Sequence, residues 1–195
     1  MEPTKIITLK QPVTVGSATY SEIHLREPIV NEVITSFKDM NGSIASSYDA
    51  QIKLVSIACE IPIDVLEEMP TRILDEAIEY VSAFQNVDDG VKTDQWDMEL
   101  DSPLQLSGAD GDVITTLSLK EPTVKQRKQA MKAFDQHGQG IVGGLEFQVS
   151  LLTQVTGEKL PTILKLPISQ FTKATVYLMR FFPEINKTGN GLFTN

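Results

Sequence analysis

Two short stretches constrain the folding of this chain more than any other feature. LREPIVNEV (25–33) and LKEPTVKQR (119–127) both read as the end of a strand, a charged step, a proline and the start of a helix. Setting Pro28 on Pro122 gives an offset of 94. At that register Ile23 meets Leu117, Leu25 meets Leu119, Glu27 meets Glu121, Val30 meets Val124 and Phe37 meets Met131. Farther along the offset grows to 97. There Leu54-Val55-Ser56 meets Leu151-Leu152-Thr153, Met69-Pro70 meets Leu166-Pro167, and Ala77, Tyr80 and Phe84 meet Ala174, Tyr177 and Phe181. A match that keeps its order over roughly seventy residues identifies an internal duplication. The added residues are expected in the polar loop after Met40, facing the Gly/Gln-rich stretch after Phe134, because loop closure entropy grows only slowly with length.

The repeated unit is legible in its periodicities. Residues 5–15 alternate through Ile7, Leu9, Val13 and Val15, and residues 20–25 alternate through Ile23 and Leu25, with Gly16-Ser17 between. That is a hairpin with one half-buried face. After Pro28, Val30, Val33, Ile34 and Phe37 recur at helical spacing, and Asn41-Gly42 stops the helix. Residues 48–60 form a second helix, apolar around much of its circumference and therefore central. A short helical turn at 64–68 and a third full helix at 70–84 complete the unit. In the second copy, strands are expected at 95–100 and 113–119 and helices at 123–136, 145–156 and 168–182. The fold class is α+β: two tandem copies of a small ββααα unit, an N-terminal β-hairpin followed by a helical bundle. The first repeat spans 1–88, the second 89–185, and 186–195 reads as a flexible tail. The linker is the polar stretch NVDDGVKT (86–93).

The proline step has a structural reason. Proline in the first helical turn forfeits no hydrogen bond and presets φ. Thr123 and Gln126 have capping-box spacing; in the first copy Ile29 replaces the threonine, so Glu27 or Asn31 is expected to serve the first turn.

Composition and charge narrow the function classes. No apolar run approaches the roughly 20 residues of a bilayer span, and no signal-peptide core opens the chain. Cys59 is the single cysteine, so an internal disulfide and a multi-cysteine zinc site are excluded, and a reducing cytosol is the expected compartment. Cys59 reads as a small buried apolar residue. The net charge of −9 disfavours nucleic-acid binding through a basic face. Residues 1–90 hold six basic against fifteen acidic residues, whereas 91–195 hold eleven of each. This asymmetry reads either as two halves with different partners or as drift on solvated faces.

The elements of catalysis are sparse. HGQGIVGG (137–144) has four glycines but follows a helix rather than a strand and lacks the Gly-Lys-Ser/Thr element of a phosphate loop. His24 lies on the outer strand face, His137 is in the loop, and neither has a metal-binding partner at helical spacing. Asp110-Gly111-Asp112 lacks the spaced ligands of a calcium loop. The chain is expected to be no enzyme and to carry no cofactor or metal. Trp96 reads as an anchor on the second hairpin or, if exposed, an interface hot spot.

One difference between the copies stands out at the offset of 94. Val33 and Ile34 become Arg127 and Lys128, on a helix that also carries Lys125 and Lys132, which leaves Val124, Met131 and Phe134 as its buried stripe. Either the long stems snorkel over the core, or the helix is a basic docking face for an acidic partner, such as the acidic first copy of another molecule.

The opening KIITLKQPVTVGSATYSEIHLREPIV resembles the start of the short tail assembly chaperones of Mu-like and related contractile-tailed phages. The residues that carry the resemblance are Ile7, Leu9, Pro12, Val13, Gly16, Ile23, Leu25, Arg26, Glu27 and Pro28, with a looser second match through Leu100, Pro103, Leu119, Lys120, Glu121 and Pro122. The resemblance implies a non-catalytic chaperone that binds the tape-measure protein, tail-tube subunits or both during tail morphogenesis in the host cytoplasm. The alternative is a structural tail or baseplate subunit retained in the virion. Tail-tube or baseplate proteins, self-association, and no nucleic acid or membrane complete the expected partners. The candidate partner-binding residues are Arg26, Glu27, Trp96, Lys120, Glu121, Lys125, Arg127, Lys128 and Lys132.

Overall fold

The computed structural model describes residues 2–87, 91–105 and 113–182. The tail at 186–195, the middle of the linker and the Asp110-Gly111-Asp112 loop lie outside the described residues. The chain divides into two compact units, Met1–Asn86 and Val87–Asn195.

In the first unit, β1 (Thr4–Val15) and β2 (Ala18–Arg26) form an antiparallel hairpin. Alternation buries Ile7, Leu9, Ile23 and Leu25 and turns Thr8, Glu22 and His24 to solvent. Helices α1 (Val30–Phe37), α2 (Ile44–Cys59), α3 (Ile63–Glu67) and α4 (Thr71–Ala83) follow. Helix α2 is central, as its apolar circumference predicts, and touches α1, α3, α4 and β2. It buries Ile52, Leu54, Val55 and Ala58 against Val33, Phe37, Leu66, Ala77 and Val81 of the unit's core.

The second unit repeats the plan with β3 (Gln95–Gln105), β4 (Val113–Lys120), α5 (Val124–His137), α6 (Ile141–Thr156), α7 (Leu160–Leu164) and α8 (Ile168–Met179). The short α7, the counterpart of α3, was not expected. Helix α6 also starts four residues before the expected 145, so Gly143 and Gly144 are helical. A Cβ on Gly143 would lie 1.7 Å from the Gly138 carbonyl oxygen, so the tight α5–α6 corner requires a glycine there. In the first unit the equivalent corner is closed by side chains: Ser46 Oγ donates to Asn41 Oδ1 at 2.8 Å and accepts from Asn41 N at 3.2 Å.

Both hairpins carry the same irregularity. The β1 register shifts between Thr8 and Val13, where four residues of β1 face one of β2, and β3 shifts identically between Glu99 and Leu104. Pro12 and Pro103, which have no N–H to pair, sit inside these two bulges.

The structure moves the three-residue insertion. The helix starts match at 94, since Glu32 Oε2 accepts from Ile29 N at 3.0 Å as Gln126 Oε1 accepts from Thr123 N at 2.8 Å. Every later element matches at 97, with α2 on α6, α3 on α7 and α4 on α8. Buried Val33 and Ser36 therefore correspond to buried Ala130 and Ala133, and Phe37 to Phe134. The extra residues form an added turn at the start of α5, about 4.5 Å of helix, not a longer loop. The expected stripe of Val124, Met131 and Phe134 is corrected accordingly. Val124 is 84% exposed on the added turn and Met131 is 43% exposed, while Ala130 and Ala133 face the core. Arg127 stands where Val30 stands, rather than replacing Val33.

Core volumes compensate between the units. Ala130 replaces Val33, and Phe147 fills the space left by Ala50 in the other unit. Phe147 stacks on Phe134 at 5.1 Å and meets Phe182 edge-on at 6.1 Å.

Candidate functional site

The strand-to-helix corners repeated at Pro28 and Pro122 are built differently. In the first unit Arg26 leaves the end of β2 and forms a two-pronged ion pair with Glu32, at 2.9 and 2.7 Å, while its Nη2 donates to the Ile57 carbonyl at 3.4 Å. The hydrogen bond to Glu32 raises the Arg26 pKa above its ordinary value, outweighing partial burial. Glu32 simultaneously serves the first turn of α1, so neither Glu27 nor Asn31 carries that role. The Glu27 backbone amide instead donates to the Pro3 carbonyl at 3.0 Å.

In the second unit a neutral side chain replaces this ion pair. Gln126 closes the capping box with Thr123, whose Oγ1 accepts from Gln126 N at 3.2 Å. Its Nε2 then donates to the Gln154 carbonyl at 2.7 Å. Gln154 is the counterpart of Ile57, so Gln126 makes the contacts that Glu32 and Arg26 share in the first unit. Lys120, at the position of Arg26, is left exposed.

Lys120, Lys125 and Lys132 converge on one groove of about 830 Å³ between α5 and α6, with Gln129, Gln136 and His137 also on its wall. Lys125, Gln129, Lys132 and Gln136 follow helical spacing along one side of α5. Among the described residues no ion pair engages the three lysines, and Glu146 is the carboxylate on the lining. With three lysines against one carboxylate on its lining, the groove is electropositive and suited to carboxylates.

The other candidates are dispersed. Arg127 lies over the Phe182 ring at 4.8 Å, covering the aromatic cluster with its cation. Trp96 is half-buried and packs on Tyr177 at 5.4 Å. Lys5 occupies the matching place over Tyr80 at 5.9 Å. Lys128 and Glu121 are exposed and lie outside the groove lining. Gln126, Gln129 and Gln136 were missed as groove residues; for Gln129 and Gln136 the signal was their helical spacing with Lys125 and Lys132.

Little in the described residues resembles a reaction centre. His24 Nε2 meets Glu22 at 2.6 Å on the exposed strand face. Cys59 is half-buried rather than fully buried, and burial pushes its thiol pKa up. No group of three His, Cys, Asp or Glu among the described residues could hold a metal ion, and no helix there is long and apolar enough to cross a membrane.

A family model described as "Phage tail assembly chaperone proteins, E, or 41 or 14" matches the chain twice, over residues 6–86 and 97–183. The two matches fall one on each structural unit. Comparison with curated proteins and with solved structures gave no match.

Proposed function

Because this chain belongs to the phage tail assembly chaperone family, as a tandem duplication of the family's unit, we propose that it chaperones the tape-measure protein during tail morphogenesis. The observation that carries this reading is the double family match, one on each folded unit. Each unit, taken as 1–88 and 89–185, offers its own contact surface, so the chain is bivalent toward a long partner. Two modest contacts on one chain combine into a much stronger one when both can engage. Exposed apolar side chains supply the means: Ile44 and Tyr48 lie one helical turn apart on α2, and Val124 and Met131 two turns apart on α5. Such sites suit apolar stretches of a helical partner. Tail-tube subunits are the second class of partner, and the host cytoplasm is where the chain acts.

The test is co-expression with the tape-measure protein of the same phage. Soluble tape-measure protein that co-purifies with this chain, and is lost to the pellet without it, is the expected result. A tape-measure protein equally insoluble in both cases would overturn the reading. Stoichiometric recovery of the chain from purified particles by mass spectrometry would instead identify a structural tail or baseplate subunit.

A further inference from the structure

The two units have been charged in opposite senses on different faces. Along α3 and α4, the first unit exposes Asp64, Glu67, Glu68, Asp75 and Glu79, and none of them is in an ion pair among the described residues. At 97 residues farther on these become Pro161, Leu164, Lys165, Thr172 and Val176, so the second unit keeps no carboxylate there. The groove shows the reverse. Lys132 corresponds to Thr35, Lys125 lies in the added turn and has no counterpart, and Arg26, the counterpart of Lys120, is neutralised by Glu32. Among the described residues, each molecule therefore carries exposed carboxylates in no ion pair along α3 and α4 of one unit and lysines in no ion pair around the α5–α6 groove of the other.

We infer that the occupant of the α5–α6 groove is the α3–α4 carboxylate face of a second copy of this chain. The lysines of one molecule take the carboxylates of the next, a heterologous contact that leaves one face open on each terminal molecule and so propagates head to tail. Charge complementarity across such a contact fixes its register and speeds encounter, and salt weakens it. This goes beyond the reading of the chain as a chaperone, since it requires no other tail protein.

The experiment uses the purified full chain in sedimentation velocity, with no tape-measure protein present. The weight-average mass should rise with protein concentration at about 25 mM salt and fall back toward the 21.6 kDa monomer at about 500 mM. Lys125→Gln/Lys132→Gln removes the charge of the groove and keeps the acidic face; Asp75→Asn/Glu79→Gln does the opposite. Each double variant alone should be monomeric, and an equimolar mixture should form a 1:1 complex that grows no further, because only one native contact remains possible. That complementation also shows both variants to be folded. A wild-type chain that stays monomeric at low salt overturns the inference. So does assembly indifferent to salt, or a mixture of the variants that gives no 1:1 complex.

Discussion

Gln126 shows how one side chain can take over the work of two. In the first unit a carboxylate and a guanidinium hold the corner, and in the second a single amide accepts from the Thr123 amide and donates to Gln154. Gln126→Ala should destabilise the second unit by about 1–2 kcal/mol, the loss of a cap and a partly buried hydrogen bond, read from the shift in denaturant midpoint. The tyrosines give a pH signature. Tyr80 donates to the Glu2 carbonyl at 3.0 Å and Tyr177 to the Thr93 carbonyl at 2.9 Å. Burial is the first cause raising both pKa values above the ordinary 10.0. The folded state thus holds these protons more tightly than the unfolded chain. Their stabilising contribution is complete below pH 10 and is lost as pH rises through the raised values. Urea titrations between about pH 8 and pH 11 should show that decline, and Tyr80→Phe/Tyr177→Phe should flatten it.

At the scale of elements, the copies end their central helices on one backbone conformation with different residues. Glu60 caps α2 at φ 57°, and Gly157 caps α6 at φ 77°. The left-handed conformation is unfavourable for a residue with a Cβ. Glu60→Gly should therefore raise the stability of the first unit by about 0.5–1 kcal/mol, and Gly157→Glu should lower that of the second by about 1–2 kcal/mol. Differential scanning calorimetry would register the opposite signs. Element types were largely legible in the sequence: both hairpins, the central helices and the Thr123–Gln126 cap follow from alternation, helical period and spacing. The register of α5 was not. Val124 and Met131 imitate an apolar stripe, whereas the residues that face the core, Ala130 and Ala133, are small and carry little hydropathic signal. The short α7 and the glycine-rich start of α6 were hidden for a related reason, since local propensity there yields to a tight tertiary corner. The groove was half visible. The lysines on α5 stood out, but Lys120 joins them only because Gln126, and not a carboxylate, closes its corner.

For the whole molecule, duplication gives two separate cores, and one spectroscopic probe tells them apart. Trp96 is the chain's single tryptophan and belongs to the second unit. Gly143→Ala should destabilise that unit by about 2 kcal/mol, because the new methyl meets backbone rather than a yielding side chain. Tryptophan emission should then report a lowered midpoint, while the far-ultraviolet circular dichroism, which sees both units, becomes biphasic. Coincident single transitions by the two probes would show instead that the units unfold together.

The paired bulges bear on what such a molecule must avoid. Among the described residues each hairpin is a sheet of two strands, so both strands present an outer edge of backbone donors and acceptors. An edge of that kind invites a further strand from any chain nearby, including another copy or an unfolded client. Pro12 and Pro103 interrupt β1 and β3 midway with a kink and a missing donor, blunting these edges against amyloid-like pairing. Each hairpin is thereby kept from seeding an aggregate through the long edge of β1 or β3.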